Sequence, residues 1–356
     1  MKIIKMNLSV PYNIIIDNGI INYCGKFVRE ISHGKKAFII SDSNVSAVYA
    51  ETVIQSLNLF NFETKLFSFE AGEKSKNLST VHNIYNKLLD FGITRADIII
   101  ALGGGVTGDI TGFCASTFLR GIPYVQVPTS LLSQIDSCVG GKTGVNLPSA
   151  KNSVGTFYQP SLVLIDPNTL HTLPKRNFSD GIAEGIKYAL ISDKKLFSKL
   201  KNLNINDFIE EFIFNCLSIK KELVEQDVFD KGNRMLLNFG HTIGHAVESH
   251  YKYSKFYHGE AISIGMFEIT KLGESLGLTK PGTSDEIEGI LLKFNLPTKL
   301  NLSPLEISSE LSSDKKNFSG TLNIILISEI GKGFIYPIAL NEFIRLLESS
   351  KNNEAT

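Results

Sequence analysis

The feature that most constrains this fold is an apolar run that ends in three glycines. Residues 96–105 read ADIIIALGGG, and VTGD follows directly. A short, continuous apolar run with many β-branched residues is typical of a strand buried on both faces of a sheet. The glycines end the strand and allow the backbone to approach a ligand closely. The segment therefore predicts a strand–turn–helix unit of an α/β sheet.

The turn over 102–109 is a candidate phosphate-binding site. The N-terminus of the helix that follows it offers free N–H groups to phosphate oxygens. The glycine spacing departs from the dinucleotide fingerprint G-x-G-x-x-G, so a tight strand–helix turn without a ligand is the alternative. Asp42 ends another apolar run, and we interpret it either as a ribose ligand or as a helix cap.

The rest of the chain shows two different secondary-structure patterns. Further strands alternate with helices in the first half, which indicates a mostly parallel sheet covered on both faces. The predicted strands are 37–42, 64–70, 124–130 and 161–166, and the predicted helices are 45–58 and 77–91. After about residue 174, helical patterns dominate. They cover 178–191, 194–201, 206–226, 234–251, 259–276, 284–294 and 340–350, with strands only at 321–328 and 333–338.

The 356 residues exceed the usual size of one domain. We therefore predict an α/β protein with two domains. Residues 1–173 form a Rossmann-like nucleotide-binding domain, and residues 174–356 form a mainly α-helical domain that binds metal.

Composition narrows the class of protein. Lys plus Arg and Asp plus Glu are both 36, so the formal net charge is zero and a nucleic-acid partner is not expected. The N-terminus lacks the apolar core of a signal peptide, and no segment is apolar for long enough to span a membrane. The four cysteines contain no C-x-x-C pair and indicate reduced thiols in the cytoplasm.

A glycine-rich stretch over 130–152 carries charged and amide side chains. It contains Asp136, Lys142, Lys151 and Asn152. Two lysines and an amide in such a loop suit a phosphorylated substrate or cofactor. A solvated loop is the alternative, because lysine usually lies on the surface.

The segment RMLLNFGHTIGHAVESH (234–250) concentrates potential metal ligands. If it is one helix, Asn238, His241, His245 and Glu248 share a face. Spacing alone selects His241 and His245 as the ligand pair. Further candidates are Glu184, with Lys187 three residues later, and His258, just before Glu260. The alternative is a set of hydrogen-bonded core residues.

Six motifs in order resemble the 3-dehydroquinate synthase family. They are GGGVTGDITGFCAST, RGIPYVQVPTSLLSQIDSCVGGKTGVN, KNSVGTFYQP, FSDGIAEGIKYALI, LLNFGHTIGHAVE and HGEAISIGM. The resemblance extends from about Asp42 to Lys316. It implies a lyase of the shikimate pathway, which leads to the aromatic amino acids. The enzyme converts 3-deoxy-D-arabino-heptulosonate 7-phosphate, a phosphorylated sugar acid, to 3-dehydroquinate and phosphate.

The resemblance also implies the cofactors and their ligands. NAD+ is recycled in each turnover, and the metal is Zn²⁺ or Co²⁺, bound by Glu184, His241 and His258. His245 becomes an active-site base or hydrogen-bonding group, which overrules the pair chosen by spacing. The NAD+ contacts are Asp42, Glu73, Lys76, Gly104, Gly105, Val106, Asp109, Thr129, Ser130, Lys142, Lys151, Thr169 and Thr172.

The remaining roles implied by the resemblance concern the substrate. Its contacts are Asp136, Lys142, Asn152, Lys187, Lys220, Arg234, Asn238, His245 and one of Lys315 or Lys316. Arg120 reaches the site of the neighbouring subunit in a homodimer. The rival interpretations are another sugar-phosphate cyclase, a metal-dependent polyol dehydrogenase of related fold, and a non-catalytic NAD-binding regulator.

Overall fold

The computed structural model describes residues 1–148, 150–313 and 320–352 and forms two compact units. Unit 1 comprises Met1–Phe178 and Ile209–Glu225. Unit 2 comprises Ser179–Phe208 and the described residues from Gln226 onward.

The helices and strands are numbered in chain order. The strands are β1 (Lys2–Met6), β2 (Tyr12–Ile16), β3 (Lys36–Asp42), β4 (Glu63–Phe69), β5 (Ile98–Gly103), β6 (Tyr124–Pro128), β7 (Lys142–Leu147), β8 (Ala150–Phe157), β9 (Leu162–Ile165), β10 (Thr321–Glu329) and β11 (Lys332–Ala339). The α-helices are α1 (Cys24–Ile31), α2 (Ser43–Leu59), α3 (Leu78–Phe91), α4 (Gly105–Thr117), α5 (Lys175–Ser192), α6 (Lys194–Asn202), α7 (Ile209–Gln226), α8 (His241–His250), α9 (His258–Ser275), α10 (Thr283–Lys293), α11 (Pro304–Ser313) and α12 (Leu340–Asn352).

Unit 1 is built on a sheet in the order β1-β2-β9-β6-β5-β3-β4. All neighbouring strands are parallel except β1, which pairs antiparallel with β2 at one edge. Parallel strands place their carboxyl ends at the same edge of the sheet, which is where open α/β sheets bind ligands. Strands β7 and β8 form a separate antiparallel hairpin.

Alternation along the strands explains why both faces of this sheet are covered. Ile39 and Ile100 pack with Val53 of α2 on one face. Phe38 and Ile99 pack with α3 and α4 on the other. Side chains that alternate between faces of an all-apolar strand need a helix on each side. The α/β class and the Rossmann-like strand order are confirmed.

Helix α7 differs from the predicted domain division at residues 173 and 174. Except for Gln226 it belongs to unit 1, although the sequence analysis assigned it to the second domain. Its contacts explain the assignment: Lys2 lies over the ring of Phe214, 5.2 Å from the centroid, and the Asn7 amide donates to Glu225 Oε1 at 2.6 Å. Helix periodicity carries no information on such long-range contacts.

Unit 2 consists mainly of helices, with β10 and β11 forming an antiparallel hairpin. Among its elements, α8 and α9 pack closely. The predicted continuous helix over 234–251 is wrong. A 3₁₀ turn covers Asn233–Asn238, and Gly240, which has a left-handed φ of 78°, separates it from α8. A Cβ at Gly240 would lie 2.9 Å from the Ile262 carbonyl oxygen of α9, so glycine is required there. Asn238 therefore does not share the helix of His241.

Candidate functional site

The glycine turn of unit 1 carries no side chain at Gly104 and Gly105, where α4 begins. Gly104 precedes the helix, which begins at Gly105, and α4 has no side-chain cap. A Cβ at Gly104 would lie 3.3 Å from Ser130 Oγ, and one at Gly105 would lie 3.1 Å from Ser137 Oγ. The first N–H groups of a helix have no intrahelical acceptor. The two glycines therefore leave those donors uncovered by side chains of their own, and a Cβ at either position would crowd the serine beside it.

Asp42 lies at the same edge of the sheet, at the end of β3. Its Oδ1 accepts hydrogen bonds from the amides of Asn44 and Val45 at 3.0 and 3.1 Å, and so caps α2. Its Oδ2 lies 3.4 Å from Thr107 Oγ1, in the first turn of α4. One carboxylate oxygen thus holds a helix while the other faces the glycine turn.

Lys76 connects three segments of unit 1 through a buried ammonium group. The side chain of Lys76 is 5% exposed, and its Nζ donates to Asp109 Oδ2 and Asn152 Oδ1, both at 2.5 Å. Burial raises the pKa of Asp109, and the charge of Lys76 opposes that shift. Asn152 adopts a left-handed φ of 52° in the β7–β8 hairpin. This cation therefore holds the first helical turns of α4 against the hairpin.

Glu73 joins the same network from the segment after β4. Its Oε1 accepts a hydrogen bond from Asn146 Nδ2 at 2.7 Å, and Asn146 Oδ1 accepts from the Asn152 amide at 2.8 Å. Asn146 is the last residue of one of the six motifs, but no spacing in the sequence links it to Glu73. Its contacts follow from the pairing of β7 with β8, in a segment where the sequence predicts a loop.

The other residues predicted to bind nucleotide in unit 1 lie in α4, after β6 and β9, or on the hairpin. The Thr129 amide donates to Gly103 O at 3.0 Å, and Thr172 Oγ1 lies 2.6 Å from Tyr49 Oη. Thr129 and Ser130 follow β6, Thr169 and Thr172 lie in a 3₁₀ turn after β9, Val106 lies in α4, and Lys142 and Lys151 lie on β7 and β8. The structure thus brings most of the set to the carboxyl edge of the sheet.

Lys220 and Asp136 form a second charged pair within unit 1. Lys220 Nζ donates to Asp136 Oδ1 at 2.9 Å and to its carbonyl oxygen at 2.5 Å. Lys220 is buried on α7, and Asp136 lies in a π-helical turn over Ser133–Ser137. Such turns are frequent at functional sites. Arg120 is exposed and has a left-handed φ of 66°.

In unit 2, one carboxylate and two imidazoles converge from three helices. Glu184 Oε1 of α5 lies 3.5 Å from His241 Nε2 of α8 and 3.4 Å from His258 Nε2 of α9. Glu184 is 1% exposed and also forms an ion pair with Lys187, one turn further along α5. The donor atoms of the three residues lie within 4.8 Å of one another. This set matches the N and O ligands that zinc prefers.

A second group overlaps the first within the described residues. His245, Glu248 and His258 also offer donor atoms within 4.8 Å of one another. His241 and His245, the pair chosen by spacing, fall into different groups. Their rings are in edge contact, with centroids 5.2 Å apart.

The two imidazoles beside Glu184 differ in their pKa. Burial lowers the pKa of His241 well below its usual value, and the nearby charge of Lys187 lowers it further. Burial acts in the same sense on His258, but its hydrogen bonds with Glu184 and Glu248 outweigh burial and raise its pKa to about 10. The difference between the two imidazoles arises from the carboxylates that flank both ring nitrogens of His258.

Close helix packing holds these donors in place. A Cβ at Gly259 would lie 2.1 Å from the Asp180 carbonyl oxygen, and the Gly259 amide donates to Asp180 Oδ1 at 2.5 Å. This contact fixes the start of α9, where His258 lies, against α5. The sequence analysis missed Asp180, because no periodicity or motif links it to α9.

Arg234 and Asn238 lie in the 3₁₀ turn that precedes α8. Arg234 is 2% exposed, and its Nη1 donates to Val228 O at 2.6 Å. Asp227 Oδ2 accepts hydrogen bonds from the amides of Gly232 and Arg234, at 2.6 and 3.4 Å. Lys315 and Lys316 lie outside the described residues.

Two family models match the chain in succession. A model of the 3-dehydroquinate synthase N-terminal domain matches residues 66–180, and one of its C-terminal domain matches residues 181–317. A 3-dehydroquinate synthase of Clostridium beijerinckii is 50% identical over 329 residues, which cover 91% of this chain and 94% of the relative. The chain belongs to the 3-dehydroquinate synthase family. A family member from Streptococcus mutans is 45% identical over 97% of this chain and 99% of its own.

Solved structures of related cyclases share the fold of this family member. A 2-deoxy-scyllo-inosose synthase complexed with carbaglucose-6-phosphate, NAD+ and Co²⁺ has 26% identity and a TM-score of 0.86, with 98% of this chain and 99% of that chain covered. A 2-epi-5-epi-valiolone synthase of Streptomyces hygroscopicus with NAD+ and Zn²⁺ bound has 27% identity and a TM-score of 0.87, with 98% of both chains covered. No helix in the described parts of the chain has the length and apolar character to cross a membrane.

Proposed function

We propose that this chain converts 3-deoxy-D-arabino-heptulosonate 7-phosphate to 3-dehydroquinate and phosphate. The observation that carries the proposal is the convergence of His241 and His258 on the buried carboxylate of Glu184, in a chain that is 50% identical to a curated 3-dehydroquinate synthase. A buried carboxylate that faces two imidazoles suits a divalent cation more than an apolar core.

The residues fit Zn²⁺ or Co²⁺. His241 and His258 both direct Nε2 toward Glu184, which gives three donors and leaves coordination positions for a substrate oxygen. The glycine turn of α4 fits NAD+, because the helix begins there without a side-chain cap and Gly104 and Gly105 leave its amide donors uncovered. The proposed NAD+ residues remain those of the resemblance, from Asp42 to Thr172.

The cofactors supply two kinds of chemistry when bound: NAD+ a reversible hydride acceptor, and the metal ion a Lewis acid for an alcohol or carbonyl oxygen. Residues of the chain bind the charged groups of the substrate. Arg234 offers a planar guanidinium that suits a carboxylate, with Lys220 and Asn238 as further donors. Lys142 and Asn152 are proposed to bind the phosphate group.

Proton handling falls to a few polar groups of this chain. We assign His245 as a base or hydrogen-bonding group, since its ring contacts the rings of His241 and His258. Lys187 holds Glu184 through its ion pair, and Lys220 holds Asp136. Much of the rate enhancement would then come from positioning, because elimination of phosphate and ring closure occur within one bound molecule.

The cellular setting and assembly are part of the same proposal. We propose a homodimer in which Arg120 reaches the site of the other subunit, and its exposed position is compatible with that role. We also propose a cytoplasmic location, since all four cysteines are buried as free thiols.

The choice among cyclases is tested by the carboxylate of the substrate. Phosphate release is measured from the heptulosonate phosphate and from a heptulose phosphate that lacks the carboxylate, with NAD+ and Zn²⁺ supplied. The proposal expects a kcat/KM at least 100-fold higher for the acid, because a sugar without the carboxylate cannot form charge-assisted hydrogen bonds with the guanidinium of Arg234. A preference for the carboxylate-free sugar would assign the chain to the inosose or valiolone cyclases instead.

A further inference from the structure

The two ring nitrogens of His258 face two different carboxylates. Its Nε2 lies 3.4 Å from Glu184 Oε1, and its Nδ1 lies 3.3 Å from Glu248 Oε2. A neutral imidazole has one N–H donor and one lone pair. The acceptor at one nitrogen therefore decides where the lone pair of the other nitrogen points.

Glu248 is built into the helix that also carries His241. It lies on α8 and is 6% exposed, so its carboxylate is withdrawn from water. Close packing of α8 on α9 fixes the backbone of Glu248 relative to the helix that carries His258. A Cβ at Gly265 of α9 would lie 1.9 Å from the Gly240 carbonyl oxygen, at the start of α8. A buried carboxylate costs free energy unless it is paired, and His258 provides the pairing.

We propose that Glu248 is a positioning residue of the metal centre. Its carboxylate accepts the Nδ1 proton of His258 and so directs the Nε2 lone pair toward the space shared with Glu184 and His241. This inference rests on the proposed Glu184–His241–His258 ligand set. It adds a residue to which the resemblance gave no role.

His241 provides an internal contrast. Its Nδ1 lies 3.1 Å from the Phe239 carbonyl oxygen, a neutral acceptor, whereas the acceptor for His258 is a carboxylate. A carboxylate partner raises the basicity of a ligating imidazole more than a carbonyl does. His258 is therefore the stronger nitrogen donor of the two, and the difference arises from Glu248.

The overlapping group of His245, Glu248 and His258 defines the competing arrangement. There Glu248 would itself bind the metal, and His258 would offer Nδ1 in place of Nε2. The convergence of two Nε2 atoms on one oxygen of Glu184 favours the first arrangement. The two arrangements differ in what removal of Glu248 or His245 does to metal binding.

The test measures the Zn²⁺ affinity of the full chain by competition with a chromophoric chelator, and the visible spectrum of the Co²⁺ form. Glu248→Gln keeps an acceptor but loses the charge, and Glu248→Ala loses both. The matched control is Glu274→Gln on α9, where the carboxylate accepts hydrogen bonds from the Ser284 amide and hydroxyl at 2.9 and 2.6 Å, away from the cluster. Circular dichroism checks that every variant is folded.

We expect affinity losses of about 10-fold for Glu248→Gln and about 100-fold for Glu248→Ala, the range for outer carboxylate partners of metal-binding imidazoles. The Co²⁺ spectrum should keep its intensity in Glu248→Gln. The Glu274→Gln affinity should stay within about twofold of the unaltered chain, and that of His245→Ala within a few-fold.

Three results would overturn the inference. Equal affinities for the unaltered chain and Glu248→Gln would remove the positioning role while leaving the ligand set intact. Loss of metal from His245→Ala together with a changed Co²⁺ coordination number in Glu248→Ala would make Glu248 a ligand. No Zn²⁺ binding by the unaltered chain would overturn the ligand set and this inference together.

Discussion

At the scale of the residue, the donor set shows what spacing can and cannot predict. An i, i+4 pair of histidines is a local pattern, so the sequence alone selected His241 and His245. Glu184 and His258 reach the cluster from α5 and α9, and helix packing decides that, not local spacing. The resemblance identified these two residues, because a family motif marks residues that meet only in the folded chain, whereas periodicity reports only local spacing.

Arg234 allows a test at the same scale. Arg234→Lys keeps the charge but loses the planar fork, so it should lower kcat/KM for the heptulosonate phosphate about 10-fold or more, or about 1.4 kcal/mol. Steady-state kinetics measure the effect. Arg345→Lys is the matched control, because Arg345 is exposed on α12. Arg29 is unsuitable as a control, because it donates to backbone carbonyls and lies 3.6 Å from the centre of the Phe62 ring. Equal values for the two variants would exclude Arg234 as the carboxylate ligand.

At the scale of the element, the sheet could be predicted from apolar runs, and the hairpin β7–β8 could not. Its strands are mixed in polarity, and exposed side chains outnumber buried ones on β8. The break before α8 was missed for another reason. Glycine is tolerated within a helical pattern, and only the approach of Ile262 and Met266 shows that Gly240 must leave the helix.

The space around two helical glycines predicts opposite effects of alanine on stability. Gly265→Ala would place a Cβ 1.9 Å from a carbonyl oxygen, so we expect it to reduce the free energy of unfolding by about 2–3 kcal/mol and to weaken Zn²⁺ binding. Gly289→Ala on α10 meets no atom within 4 Å and should increase stability by about 0.5–1 kcal/mol. Urea denaturation measures both. A neutral Gly265→Ala would show that the two helices are not in fixed contact.

At the scale of the whole molecule, the hydrogen bonds of Asp97 predict part of the loss of folding stability at acidic pH. It is 4% exposed and accepts hydrogen bonds from the amides of Lys35, Lys36 and Thr94 at 3.0, 2.9 and 2.8 Å. Burial alone would raise its pKa, but these bonds and one from the Thr94 hydroxyl outweigh burial and lower it. Because the pKa of Asp97 is lower in the folded chain than in the unfolded chain, Asp97 stabilises the fold at pH values above its unfolded-state pKa. This stabilisation is lost as the pH falls through the folded-state pKa.

Asp97→Asn should therefore reduce the free energy of unfolding at pH 7 by about 2 kcal/mol, since an amide replaces one charged acceptor. The difference in free energy of unfolding between the variant and the unaltered chain should narrow as the pH falls below about 4, because Asp97 of the unfolded chain takes up its proton there and Asp97 of the folded chain does so only at lower pH. Asp90→Asn is the control, because Asp90 is exposed and forms its ion pair with the exposed Lys87 on its own helix. A gap that does not change with pH would show that Asp97 contributes through shape and not through charge.

The central claim is that NAD+ is recycled within one enzyme that eliminates phosphate, and its most direct measurement is the ratio of phosphate released to NAD+ supplied. The chain, loaded with Zn²⁺, receives the heptulosonate phosphate in large excess over NAD+. The account predicts many phosphates per NAD+, with no NADH accumulating in solution, because each hydride taken from the substrate is returned to it. Phosphate release that stops at one per NAD+, or NADH that accumulates with each turnover, would contradict it and indicate a dehydrogenase.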